Sequence, residues 1–378
     1  MITLSCNAQN GSTIKIDPRT FIENKITLAE IAGDIIYIPL DNKFPIGSIL
    51  TYKVLKNSIY ISAKDIGVIR FNIDGKNPTN IGKIGRGPGE YSTVWSFAVN
   101  ERNETIYILD WRKIEVFTKN GDFLRSIPLP ECNDGNCFLN IDFCNSNLLL
   151  AQYINMGKAK YNWIIKDTLG NLVKEKKNSI PEFPNRDQGF GGLYKYKDKI
   201  SYWNYYNDTV FTILPDLSYT TSIVFAPGSY RLPMQGIKST SSAQYFSQVN
   251  KYFTPQWMFE TNRFIGLVYR FEQKRALALF DKVNKKSYLS YLGNNGNGGI
   301  PNNLDGGPSF QTTISFEKDD QEYLVGLLEP LKLKSHISSN DFKNTNPVNP
   351  EKKKNLEKIA NSIKETDNQI LMLVKLKK

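Results

Sequence analysis

Histidine is almost missing from this chain: His336 is the only one in 378 residues. Imidazole-rich zinc or iron sites need several histidines. Ser-His-Asp or Cys-His catalysis would have to rest on this single ring. His336 falls in a polar stretch with Lys332, Lys334 and Ser335, where it reads as an exposed side chain. Cysteine is scarce as well, with Cys6, Cys132, Cys137 and Cys144 alone. An all-cysteine metal site would consume all four and draw Cys6 from the far end of the chain. No metal and no cofactor is expected. No apolar run reaches the roughly 18 residues of a membrane-spanning helix.

Excess charge is confined to one segment. The formal net charge is +11. Residues 331–378 hold 11 Lys or Arg against 5 Asp or Glu, leaving 37 against 32 in the first 330 residues. A nucleic-acid binder carries a basic stripe interleaved with aromatics. Here the tyrosines and phenylalanines are spread over β-like runs, which reads as core, and no nucleic-acid partner is expected.

The first residues, Met1-Ile2-Thr3-Leu4-Ser5-Cys6-Asn7, are too short for a signal peptide, whose apolar stretch alone runs to roughly 7–15 residues. They look like the tail of one, because Leu-Ser-Cys before polar residues is similar to the box of bacterial lipoproteins whose cysteine is lipidated. Cys132 and Cys137 flank Asn133-Asp134-Gly135-Asn136, and Asp-Gly is a tight-turn signal. One disulfide among Cys132, Cys137 and Cys144 fits an oxidising compartment; buried thiols fit a reducing one.

What the chain does have is a repeat. One unit reads Asn57-Ser58-Ile59-Tyr60-Ile61, then Asp65, then Gly67-Val68-Ile69-Arg70-Phe71-Asn72-Ile73-Asp74-Gly75. About 47 residues on comes Glu104-Thr105-Ile106-Tyr107-Ile108, then Asp110, then Lys113-Ile114-Glu115-Val116-Phe117 and Asn120-Gly121. Both are hairpins: alternating apolar residues give strands with faces to bury, and Asp-Gly or Asn-Gly supplies the positive-φ turn. Weaker copies start at Leu148, Lys199, Arg263 and Glu322. Six units at roughly 40–65-residue spacing predict an all-β fold, a six-bladed β-propeller.

Ring closure usually pairs strands from the two termini. Asp34–Leu40 is predicted to complete the blade made by 322–327 and 369–376. Residues 350–364, with Leu356, Ile359, Ala360 and Ile363 on one face, predict a helix. Residues 241–249 predict a second, and no other stretch reads as helical. The expected division is a linker over 1–15 and the propeller over 16–378, with a helical insertion at about 331–366.

Ile84-Gly85-Arg86-Gly87-Pro88-Gly89-Glu90-Tyr91 resembles the GxGPGEY signature of a six-bladed β-propeller family, abundant as predicted lipoproteins in gut-dwelling Gram-negative bacteria. Tyr37-Ile38-Pro39-Leu40, Asp305-Gly306-Gly307-Pro308 and Asp367–Leu376 are similar to the family's first strand, a later loop and its closing strand. The resemblance spans roughly residues 15–378. It implies export, a lipid anchor at Cys6, an outer-membrane or periplasmic location and a domain without assigned function. It supplies no catalytic residue.

Six residues are candidate ligand contacts. Arg86, Glu90 and Tyr91 place a cation, an anion and a phenol at one blade junction. The glycine spacing there matches neither a dinucleotide fingerprint nor a Walker loop, and a turn fixed by Pro88 accounts for it equally. Asp65 and Asp110 sit at matching places in adjacent blades, where carboxylates ring a channel or cap a turn. Trp111 offers an aromatic face or packs between blades. The Asn294–Gly299 stretch with Asp305 has one carboxylate, too few for a calcium loop.

The expected function is non-catalytic binding at the cell envelope, with one propeller face presented to a glycan, peptide or protein. Membrane contact is expected through the lipid anchor alone. The alternative is a hydrolase or lyase using channel carboxylates, with or without a divalent cation; no pair stands out in the sequence.

Overall fold

The computed structural model describes residues 13–378 except 22–23, 131, 133–136, 153–156, 185–189, 227, 234 and 294–297. Cys6, the Asn133–Asn136 turn and Asn294–Asn297 lie outside the described residues.

Six antiparallel sheets form the six blades. From the innermost strand outward, blade one is Ile49–Val54, Ser58–Ala63, Gly67–Asn72 and Thr79–Ile81. Blade two is Ser96–Asn100, Thr105–Leu109, Lys113–Phe117 and Phe123–Pro128. Blade three is Phe138–Cys144, Asn147–Gln152, Tyr161–Lys166 and Leu172–Lys177. Blade four is Gly191–Tyr196, Lys199–Asn204, Asn207–Ile213 and Tyr219–Phe225. Blade five is Thr254–Glu260, Phe264–Phe271, Lys274–Asp281 and Ser287–Leu292.

Blade six closes the ring. Its inner strands are Ile314–Lys318 and Gln321–Leu328, its third is Ile370–Leu376, and its outer strand is Ala32–Pro39 from the other end of the chain. Ile35 pairs with Val374 and Tyr37 with Met372, as the terminal strands predicted. An addition is Ile14–Ile16, which pairs in parallel with Tyr219–Phe225 and gives blade four a fifth strand.

The repeat's apolar second strands now have a reason. Ile59 and Ile61 pack toward blade six, with Val325 and Leu371. Tyr60, between them, packs toward blade two, with Phe97 and Ile106. Blade three behaves alike: Leu148 and Leu150 face blade two, while Leu149 and Ala151 face blade four. Successive strand residues point to opposite faces. A blade is buried on both faces, so apolar residues occupy both faces of these strands and strict polar alternation disappears.

Helices Ser242–Val249 and Pro350–Ser362 match the predicted ones. The short helix Leu28–Ile31 falls outside the two predicted stretches, and so do two more within the insertion, Pro330–Ser338 and Asn340–Asn344. The sequence of these last two is weakly amphipathic, and Leu333 and Phe342 are buried in a cluster with Leu328, Leu356, Ala360, Ile363 and Ile370. His336 is likewise half-buried rather than exposed. Its Nε2 lies 2.8 Å from the Gly306 carbonyl, tying the insertion to the Asp305-Gly306-Gly307 loop. No described helix is long and apolar enough to cross a membrane.

Candidate functional site at the central channel

Each blade begins with its innermost strand, so the six innermost strands surround one channel. It encloses a cavity of about 390 Å³. The second strand of a blade runs back antiparallel, so its turn into the third strand lies at the mouth where the blade began. That mouth therefore carries the blade-to-blade connections and the helical insertion between Leu328 and Ile370. The opposite end carries the short turns between first and second and between third and fourth strands, together with helix Leu28–Ile31 and the C-terminus.

The channel wall is graded in charge. Near the loop-bearing mouth the blades present Thr51, Ser96, Asn140, Gly191, Gln256 and Thr313, one apiece and none charged. Asn140 Nδ2 donates to the Gly191 carbonyl at 3.4 Å, and Arg275 Nε donates to Gln256 Oε1 at 3.0 Å. Trp257 lines the same cavity and stays 45% exposed, with the Arg275 guanidinium 5.3 Å from its ring centroid.

Toward the short-turn mouth the lining becomes ionic. Lys53 of blade one reaches Asp142 of blade three at 2.5 Å. These blades are not neighbours, so the contact spans the channel side of blade two. Lys195 of blade four adds a second cation, 3.3 Å from Asp142 and 4.0 Å from Glu101. Burial opposes charge on Asp142, but Lys195 and Lys53 outweigh it and hold the carboxyl below its ordinary value. Lys195 is raised: burial opposes its charge, and Asp142 and then Glu101 more than offset that. On the other side, Glu260 pairs with Lys282 at 2.8 Å. Glu322 is pushed up by burial and by the nearby Glu317, although it accepts the Asn262 N–H at 2.7 Å.

With the architecture in place, the family can be stated. The model of a domain of unknown function, DUF4934, matches residues 12–375. The chain belongs to the DUF4934 family. Among solved structures, this DUF4934 chain is similar to a Bacteroides fragilis protein whose name assigns it to export. Identity is 20%, the TM-score is 0.70, and the match covers 97% of this chain and 100% of that one. It is also similar to a DUF4221-family member from Bacteroides vulgatus, at 12% identity and a TM-score of 0.52, covering 92% and 97%. At these identities the likeness concerns the fold. No curated protein matches the chain.

None of the six residues singled out in the DUF4934 sequence lines the cavity. Tyr91 is a correction: it is fully buried, its hydroxyl donating to the Ile81 carbonyl at 2.8 Å and accepting the Val68 N–H at 3.1 Å. Burial pushes its phenol up to about 12. Asp110 is a second correction. It is buried and accepts the Ser92 N–H and hydroxyl and the Trp111 N–H, clamping the junction loop. Asp65, at the matching place in blade one, is exposed, so the two form no carboxylate ring.

Glu90 folds back into its own loop. Its Oε2 accepts the Gly87 N–H at 2.8 Å and its Oε1 lies 2.9 Å from Lys83 Nζ. These partners, the Gly87 N–H first, hold its carboxyl below the ordinary value. A Cβ on Gly85 would displace that carboxylate from the turn. Arg86 is exposed, as is Trp111, whose ring meets Trp95 edge-on at 4.9 Å. Both belong to the loop-bearing mouth. Cys132 and Cys137 are joined in a disulfide, and Cys144 is a buried free thiol.

The sequence reading missed Lys53, Asp142, Lys195, Gln256 and Trp257. The available signal was a polar residue inside an apolar strand, as in Phe138-Leu139-Asn140-Ile141-Asp142-Phe143. Among the described residues, no group of three or more His, Cys, Asp or Glu is placed to hold a metal ion.

Proposed function

We propose that this protein is an exported, non-catalytic binding propeller that takes a neutral oligosaccharide at the loop-bearing mouth of its channel. The observation that carries the reading is the uncharged polar wall beside an exposed indole. Hydroxyl and amide side chains match the donors and acceptors of a neutral sugar, and an exposed tryptophan supplies the flat apolar face that such ligands stack on. Trp257 in blade five stands opposite blade two, which brings Trp95 and Trp111 to the same mouth. Trp111 and Arg86 are the flanking ligand contacts.

Export is supported by the Cys132–Cys137 bridge, since disulfides persist in oxidising compartments. The name of the Bacteroides fragilis neighbour points the same way. The Leu4-Ser5-Cys6 box supports a lipid anchor at Cys6 on a Gram-negative envelope protein.

Titration with neutral, acidic and basic oligosaccharides and with peptides, read by tryptophan fluorescence, tests the binding. A neutral glycan should saturate, and Trp257→Ala should weaken it about tenfold with Tm unchanged. Saturation by peptides alone would overturn the glycan reading. The hydrolase or lyase alternative has one observation in its favour, the raised Glu322 beside Glu317. Product formation during the titration would select it.

A further inference from the structure

We propose that the outer rim of blades two and three is a second binding surface, which lies against an anionic lipid leaflet. Phe123 meets Phe117 edge-on at 5.8 Å, but Leu124, Leu169, Leu172 and Val173 belong to none of the buried clusters. Phe123 and Leu124 begin the outer strand of blade two. Leu169, Leu172 and Val173 occupy the corresponding turn and strand start in blade three. All five are exposed, Leu169 at 74% and Leu172 at 55%. Monomeric surfaces rarely gather apolar side chains this way without a partner.

The two blades hold this surface as one piece. Arg125 of blade two donates to the Thr168 carbonyl in the blade-three turn at 2.8 Å. Exposed basic charge lies beside it on the blade-three strand, Lys174 and Lys177 against Glu175, while Lys176 turns onto Trp163, Phe211 and Tyr219 and Lys158 pairs with Glu182. Apolar side chains framed by lysines match an anionic bilayer surface, where the chains enter the interface and the lysines meet lipid phosphates.

The path of the chain points to the same occupant. Thr13 Oγ1 donates to the Thr221 carbonyl, near the start of blade four's outer strand, next to blade three. Ile14–Ile16 then runs parallel to that strand. The turn opening it lies at the short-turn end, since Asn145 Nδ2 donates to the Pro215 carbonyl at 2.5 Å. Cys6 is seven residues before Thr13, at most about 25 Å of extended chain. A lipid on Cys6 therefore holds this rim at the leaflet and turns the loop-bearing mouth toward water. The orientation rests on the anchor proposed above; the lipid affinity of the rim does not.

The test uses the full chain with Cys6→Ala, sedimented with vesicles of phosphatidylglycerol and phosphatidylethanolamine or of phosphatidylcholine alone. It should pellet with the anionic vesicles, less so as salt rises. The combined variant Leu169→Glu, Leu172→Glu, Val173→Glu should reduce pelleting about tenfold or more with Tm unchanged. Equal pelleting of variant and parent would overturn the surface, and so would no pelleting of the parent. Concentration-dependent dimers in light scattering, lost in the variant, would reassign it to self-association. Anchoring is read separately, from the mass of the membrane-extracted wild-type protein, so either idea can fail alone.

Discussion

At the junction of blades one and two, a conspicuous motif is spent on holding a loop. Tyr91 and Asp110 are buried, and Glu90 closes a turn within its own loop. At the channel, residues of unremarkable local context are brought together from three blades: Lys53 meets Asp142, and Lys195 joins them. A motif of consecutive residues is visible because its interactions are local, and local interactions shape the backbone. A channel wall assembled from one residue per blade leaves no consecutive pattern. Between the two regions, conspicuousness in sequence tracks structural duty, and polar and charged side chains gather where the ring converges.

The sharpest way to break this comparison is to open the ring. Ile370–Leu376 lies between Ala32–Pro39 and Gln321–Leu328, so it joins both ends of the chain. Deleting residues 369–378 should abolish cooperative unfolding, measured by calorimetry. A truncated protein that melts like the parent would show that the channel does not depend on closure.

Asp142→Asn probes the channel itself. It leaves Lys53 and Lys195 without their shared counter-charge and should cost about 3 kcal/mol at neutral pH, measured by urea denaturation. The sign of the pH effect follows from a folded-state pKa below the ordinary 3.8. Asp142 stabilises the fold above that value, and the contribution is lost as pH falls through the lower folded pKa. The variant should therefore show a shallower loss of stability below about pH 4. An unchanged acid limb would mean that the ion bridge contributes nothing.

Tyr91→Phe probes the loop and should have the smaller effect. It removes one hydroxyl and strands the Val68 N–H and the Ile81 carbonyl, at a cost of about 2 kcal/mol in the same denaturation. Glycan affinity should stay as in the parent. A change in affinity with little change in stability would return Tyr91 to the ligand site.

Much of the fold was legible. The spacing of Ile59-Tyr60-Ile61 and Ile106-Tyr107-Ile108, with their Asp-Gly and Asn-Gly turns, marked the blades. The pairing of Asp34–Leu40 with the C-terminal strand was legible for a physical reason: a closed ring leaves one unpaired strand at each end of the chain. Helices 330–338 and 340–344 were not legible, because their few apolar residues are buried in a cluster with Leu356 and Ala360 rather than on a periodic face of their own. The site was barely legible. Of the six residues singled out, Trp111, Arg86 and Asp65 are exposed at the loop-bearing mouth, and the channel residues went unnoticed.

Sequence alone determined the class of fold, the number of blades, the closing strands and the scarcity of imidazole. These follow from strand periodicity, turn-forming dipeptides and composition, all of which act over a few residues. Tertiary structure alone decided which polar side chains face the channel, which carboxylates are neutralised and which aromatics stay exposed. Those outcomes depend on which blade stands beside or across from which, and only the closed ring sets that arrangement.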